Sequence, residues 1–319
     1  MPDLHLSTAI QTLGHTRALK DRSIVPEGIQ LDFVEVARII EAFRRMARGS
    51  EFDVSEMAMT TYLCARAAGK RLTALPVFLV RAFHHGALLH DTRRPVLDPK
   101  QLEGRKVGVN RGYTVTTGLW ARGVLQHQYG VDLSKITWVL SGDEHVAEYR
   151  PPANVVPAPK DRKMEDMLLD GELVAAINIP AEQPEIQPLI PDAQAAGLAQ
   201  MAATGYYPIN HTVVVRDELL EQHPWLGAAL FDAFARAKRP YVETLRQHMS
   251  AGTAGELSGP DRLYARVMQA GLDDPLPYGV APNRAMLEMV MQLATEQNII
   301  ARPYPIEQLF AAGTLDLVG

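Results

Sequence analysis

The sequence predicts a two-lobed α/β protein in which two β-α-β-α-β halves are joined by two crossing strands, with a helical C-terminal tail packed on the first half. Three observations predict it. Short runs of alternating apolar and polar residues are each followed by helical spacing; this order is gone through twice; and from residue 225 onward helical spacing takes over. The expected bounds are 1–88 with 208–319 for the first lobe and 89–207 for an inserted second. Parallel sheets in both lobes would place a ligand cleft between them, outside the carboxyl ends of the strands.

In the first half, alternation over 4–10 and again over 29–34 predicts two strands, with a helix near 16–22 between them. The stretch 38–48 carries Ile39, Ile40, Phe43 and Met46 at helical spacing and stops at Gly49, ahead of a short strand over 52–54. A helix over 60–68 ends at Gly69, and 72–80 is an apolar strand into which Pro76 fits at a sheet edge or an irregularity. The second half repeats the order: strand 106–109, helix 114–129 closed by Gly130, strand 136–140, helix 163–169 stopped by Gly171, strand 173–177. The stretches 83–91 and 206–216 read as the two crossings, and helices are expected over 225–237, 261–270 and 283–296.

The chain has 319 residues, 47% hydrophobic and 22% charged, which is a globular composition. No apolar run approaches the ~20 residues of a bilayer-spanning helix, so no membrane partner is expected. A formal charge of −5 offers no basic field for nucleic acid and leaves small solutes as the expected partners, with self-association open. Residues 1–7 enter a strand pattern with no charged and apolar leader, so a cytoplasmic location is expected. Cys64, the one cysteine, lies in a helical apolar run and reads as a packed, inert thiol.

The patterns G-x-G-x-x-G, G-x-x-x-x-G-K-[ST], G-x-S-x-G and H-E-x-x-H do not occur, which weighs against nucleotide, serine-hydrolase and zincin chemistry. Between a strand and a helix lies Asn110-Arg111-Gly112-Tyr113-Thr114-Val115-Thr116-Thr117-Gly118. Free amides at a helix start, the hydroxyls of Thr114, Thr116 and Thr117 and the Arg111 guanidinium make a seat for a carboxylate; the plainer reading is that Thr114 or Thr116 caps the helix. Thr60 and Thr61 form a similar seat in the first half, next to Glu56, which reads as an acid, a base or a phenol acceptor, or else as a solvated or paired charge at a strand end. Arg81 and the pair His84-His85 stand at the first crossing, and Asn210-His211 at the return. For each histidine the plain alternative is a hydrogen-bonded structural imidazole. A metal held by His85, His211 and Glu56 is the competing idea, and no local ligand spacing supports it, so no metal is expected. Tyr278 and Trp120 are either walls for an aromatic ligand or core.

Several blocks together resemble the 4,5-dihydroxyphthalate decarboxylase family: Phe52-Asp53-Val54-Ser55-Glu56-Met57, Pro76-Val77-Phe78 followed by Arg81-Ala82-Phe83 and His85, His211 before Val213-Val214-Val215, His223-Pro224-Trp225, and Pro277-Tyr278-Gly279 with Pro282-Asn283-Arg284. They span nearly the whole chain. One departure is that His84-His85-Gly86 stands where the resemblance calls for Arg-His-Ser. The resemblance implies an α/β fold like that of type 2 periplasmic solute-binding proteins, put to use as a carboxy-lyase that needs no cofactor. The implied reaction converts a dihydroxylated aromatic dicarboxylate, 4,5-dihydroxyphthalate or a close analogue, to protocatechuate and carbon dioxide. On that footing His85 or His211 is the expected proton donor, Glu56 the phenol acceptor, and Arg81 and Arg111 the carboxylate clamps, with Thr60, Thr61, Thr114, Thr116, Thr117, Asn210 and Tyr278 lining the substrate. A non-catalytic binding protein for a small anion or aromatic acid is the alternative.

Overall fold

The computed structural model describes residues 3–95 and 98–319; Met1 and Pro2, the start of the stretch read for a leader, and Val96 and Leu97 lie outside the described residues. The chain divides into two compact units, Met1–Ala82 with Ile209–Glu288 and Tyr304–Gly319, and Phe83–Pro208 with Met289–Pro303. Residues 83–88 and 289–303, expected with the first lobe, group with the second unit. Packing explains the latter: Gly123 leaves room where Leu293 lies 2.7 Å from the position a Cβ would take, and Gln297 accepts a hydrogen bond from Arg122.

The first unit begins with β1 (Leu4–Ala9), α1 (Arg17–Lys20), β2 (Ile29–Phe33), α2 (Ile39–Gly49), β3 (Val54–Ala58), α3 (Met59–Ala67) and β4 (Leu72–Arg81). The left-handed residue that ends α2 is Ser50, at φ 47°, one position beyond the expected Gly49. The second unit contributes β5 (Leu88–Asp91), β6 (Lys106–Val109), α4 (Thr116–Tyr129), β7 (Thr137–Leu140), β8 (Val155–Pro157), α5 (Met164–Leu169), β9 (Ala175–Ile177), β10 (Ile186–Pro188) and α6 (Ala193–Thr204). The chain then adds β11 (Ile209–Arg216), α7 (Asp217–Gln222), α8 (Leu226–Ser250), α9 (Gly259–Gln269) and α10 (Arg284–Glu296). Helix α8 runs through Pro240, past its expected end at 237. A mid-helix proline costs roughly 3 kcal/mol. Leu230, Phe234, Val242 and Leu245 continue one buried face across it, and that burial outweighs the local cost.

The first unit's sheet has the order β2-β1-β3-β11-β4 and the second's β10-β5-β9-β6-β7-β8. Both are mixed where parallel sheets were expected. Strand β11 runs antiparallel to β3 and β4, and β5 runs antiparallel to β9 and β10. Neither strand is joined to its antiparallel partners by a single β-α-β crossover, so the rule that makes such a crossover parallel does not govern them. Pro76 sits on edge strand β4, where the pairing with β11 slips from Phe78 opposite Thr212 to Leu75 opposite Val213. An edge and a bulge together remove the demand for its missing N–H. Strand β3 begins two residues later than expected, because Asp53 is spent as an anchor. Its carboxylate accepts from the Ser7 amide and hydroxyl at 2.9 and 2.8 Å and from Arg216. Leu6, Val54, Leu75, Val213, Leu230 and Phe234 belong to the first unit's core, and Leu89, Val139, Met164, Leu173 and Ile186 to the second's. No helix among the described residues is long and apolar enough to cross a membrane.

Candidate functional site

The later start of β3 moves Glu56 from the end of a strand to its middle. Val213 pairs with Glu56 and His211 with Ala58, so Glu56 and His211 are diagonal neighbours on one face of the sheet. His211 Nδ1 donates to Glu56 Oε1 at 2.7 Å. The second oxygen, Oε2, accepts from the Gln11 backbone amide at 2.9 Å. That amide is aimed by Thr16, fully buried, whose hydroxyl donates to the Gln11 carbonyl and accepts from the Leu13 amide. Phe43 meets the imidazole edge-on at 4.9 Å between ring centres. The Glu56 side chain is fully buried while that of His211 is 17% exposed. The carboxylate therefore fixes the ring's tautomer and orientation and leaves Nε2 as the nitrogen on its far side. Glu56, with both oxygens engaged and no exposed surface, is not placed to accept a phenol.

Arg81 ends β4 one residue past Val80, the partner of His211, and is itself 3% exposed. Its guanidinium donates to Asn283 Oδ1. The Asn283 amide donates in turn to the Pro277 and Gly279 carbonyls at 2.9 and 2.8 Å, fastening the 277–283 loop to the strand end. Glu56 and Arg81 both act on the hydroxyls of Tyr264 and Tyr278, which places the four groups in one neighbourhood. Burial pushes Tyr264 up to about 12 and Tyr278 well above its ordinary range. Tyr278 is fully enclosed, with Lys238 over its ring face at 4.2 Å. It is core and lines no ligand surface, and the same holds in the second unit for Trp120. Thr60 and Thr61 lie buried in the first turn of α3, and Asn210, 7% exposed, precedes His211 in β11.

His15 completes this buried polar layer and was not anticipated. It is 1% exposed and its ring lies 5.6 Å from that of Tyr241. Desolvation by burial lowers it to about 3, against an ordinary ~6.5. The unfolded chain takes up a proton at His15 that the folded chain refuses, so this contribution is complete above pH ~6.5 and is lost as pH falls toward 3. His15→Leu is expected to flatten the pH dependence of the urea unfolding midpoint between pH 6.5 and 4, while the two proteins differ least in slope above pH 7.

In the second unit His85 opens a short 3-10 turn, and His84-His85 is not part of a strand. His85 is 1% exposed; its Nε2 donates to Gln128 Oε1 at 2.9 Å and its ring meets Tyr206 edge-on. Burial lowers its pKa, and the arrangement is that of a neutral, packed imidazole. The loop ahead of α4 departs furthest from expectation. Neither Thr114 nor Thr116 caps the helix: the cap position is Val115, with no side-chain bond. The loop instead closes on Glu144, whose Oε1 accepts from the Tyr113 amide at 2.5 Å. Its Oε2 accepts from the Thr114 amide and hydroxyl at 3.1 and 2.5 Å. Arg111 holds a left-handed backbone at φ 73° and donates its amide to Ser141. Thr116 and Thr117 occupy the first turn of α4. The seat read from 110–118 does bind a carboxylate, and that carboxylate belongs to the chain. Among the described residues no group of three or more His, Cys, Asp or Glu side chains is placed to hold a metal ion.

No family model matches the chain. It is 28% identical over 330 aligned positions to the 4,5-dihydroxyphthalate decarboxylase of Comamonas testosteroni, covering 99% of each chain. To the 4,5-dihydroxyphthalate decarboxylase of Pseudomonas putida it is 31% identical over 185 positions, 56% of this chain and 71% of that one. Among solved structures, the periplasmic aliphatic sulphonate binding protein SsuA from Escherichia coli matches with a TM-score of 0.53 at 14% identity, covering 98% of this chain and 99% of that one. The last likeness is one of fold: two α/β units in the manner of a periplasmic binding protein.

Proposed function

Since the chain belongs to the 4,5-dihydroxyphthalate decarboxylase family, we propose that it is a carboxy-lyase acting on 4,5-dihydroxyphthalate or a close analogue. The products are protocatechuate and carbon dioxide, and the chemistry is carried by the substrate ring and the protein's own side chains. The observation that carries the residue assignment is the contact between Glu56 and His211 at 2.7 Å.

In the proposed reaction the ring hydroxyl para to the departing carboxylate pushes an electron pair to the carbon bearing that carboxylate. His211 Nε2 delivers a proton to the same carbon. The bond to the carboxylate then breaks, its electron pair restores the aromatic ring, and carbon dioxide leaves; the imidazole recovers its proton from solvent. Glu56 is a positioning residue here: it accepts from Nδ1–H of the protonated ring, so that the ring is held and the proton given up is the one on Nε2, facing the substrate. Arg81, steadied by Asn283, supplies the positive charge at this end of the sheet for the carboxylate that stays. His85, with its ring packed and bonded to Gln128, takes a structural part. The test is to incubate the protein with 4,5-dihydroxyphthalate, with and without a chelator, and follow carbon dioxide together with the ultraviolet spectrum. Equal release of carbon dioxide in both, with the spectrum becoming that of protocatechuate, is the expected result. Binding without release sinks the lyase reading, and activity lost to the chelator sinks the part that assigns the chemistry to side chains alone.

A further inference from the structure

Glu144 fills a recognition site shaped for a carboxylate, and we infer that it is a displaceable internal occupant which an acidic ligand must evict to bind at 113–114. Two successive backbone amides and a hydroxyl receive its two oxygens, the bidentate arrangement that suits any small carboxylate. Gly112 is part of the shape, since a Cβ there would lie 2.5 Å from Glu144 Oε2.

A second, separate observation concerns the charge beneath the loop. Arg122 is fully buried on α4 and its guanidinium lies 3.9 Å from the centre of the Tyr113 ring. Nε donates to Gln297 and Nη2 to the Tyr113 carbonyl. The third nitrogen, Nη1, has no hydrogen-bond partner among the described residues and lies 2.9 Å from where a Cβ on Gly118 would stand, in the first turn of α4. Glu144 is among the negative groups that act on this guanidinium. Arg122 is thus a buried cation beside the loop whose amides hold Glu144, and a buried cation calls for an anion nearby. Glu144 meets the demand from a loop with no regular structure, residues 141–152, which Ser141 ties to Arg111 and Asn110. The occupant comes from a segment without regular structure, while the seat stands between the end of β6 and the start of α4.

The inference rests on the reading that this protein takes a carboxylate-bearing substrate, and its test is kept apart from turnover. The probes are acetate and phthalate, the latter lacking the ring hydroxyls, added to isotope-labelled full-length protein and to Glu144→Ala. The readout is the amide resonances of Tyr113 and Thr114. In Glu144→Ala both amides should shift on loss of their acceptor and return, saturably, as acetate or phthalate is added. The wild type should need a concentration higher by about tenfold or more, because only the fraction with Glu144 displaced can bind. Amides in Glu144→Ala that ignore both probes, or identical titrations in the two proteins, overturn the inference. Should Glu144→Ala fail to fold, Glu144→Gln decides: its weaker acceptor should lower the concentration needed, and an unchanged titration is again fatal. Wild-type turnover of 4,5-dihydroxyphthalate, measured separately, tells a failure of the lyase reading from a failure of this one.

Discussion

Replacing His211 by Gln is expected to lower the rate of decarboxylation by about 10²–10⁴-fold, the usual contribution of a positioned proton donor. KM should move far less. Glutamine keeps a donor toward Glu56, so the buried carboxylate stays satisfied and the fold is retained, but it has no proton to give the ring carbon. A Phe43 edge and the Glu56 carboxylate hold the imidazole on two sides, which is why no other side chain at 211 should recover the activity. Steady-state kinetics with 4,5-dihydroxyphthalate measure the effect, and a loss of only a few-fold removes His211 as the donor.

The second large effect is at Glu56. Glu56→Gln keeps the volume and an acceptor for the Gln11 amide, but it turns an obligate acceptor into a group that also donates. The protonated ring then loses the negative charge behind it and the fixed acceptor that sets its orientation. By analogy with the buried carboxylate behind a catalytic histidine elsewhere, kcat should fall by about 10²–10⁴-fold, with substrate affinity little changed. A merely structural role predicts a different pattern: lost stability on the order of 1–3 kcal/mol for a buried group left mismatched, with normal turnover by the folded fraction. The double variant His211→Gln with Glu56→Gln separates the two. Residues that act as one unit lose little more together than singly, so a rate within a few-fold of the His211 variant is expected, and multiplied losses would show that they act independently.

The sequence placed the main strands and helices of both units because they depend on local periodicity. It showed less where tertiary pairing decides. Strands β8 and β10 are three residues each and rich in proline nearby, and α6, dense in alanine with few buried positions, carries little amphipathic contrast. With a strand expected over 52–54, Glu56 reads as a strand-end charge, solvated or paired; only the pairing with β11 shows that it lies mid-strand beside His211 and which partner it takes. Gln11 contributes through its backbone, so its side-chain type carried no signal. The carboxylate seat at 110–118 was legible from its amides and hydroxyls, whereas its occupant Glu144 lies some thirty positions along the chain, and nothing local to it announces the contact. The adjacent histidines at 84–85 read as offering one imidazole at the crossing, yet a 3-10 turn begins at His85 and Gln128 bonds its ring.

Strand β11 lies between β3 and β4 in the sheet but follows them by the length of an entire intervening unit. During synthesis the ribosome therefore releases an edge at β3 and an unpartnered β4 long before the strand that joins them exists. The amino-terminal portion must wait, with apolar surface uncovered, until residue 216 has emerged, and long-separated pairings of this kind are slow to form. His211 arrives on that same late strand. The step that seals the sheet also brings the proposed proton donor to its carboxylate, so a nascent or truncated chain ending before β11 lacks both the strand between β3 and β4 and the proposed donor.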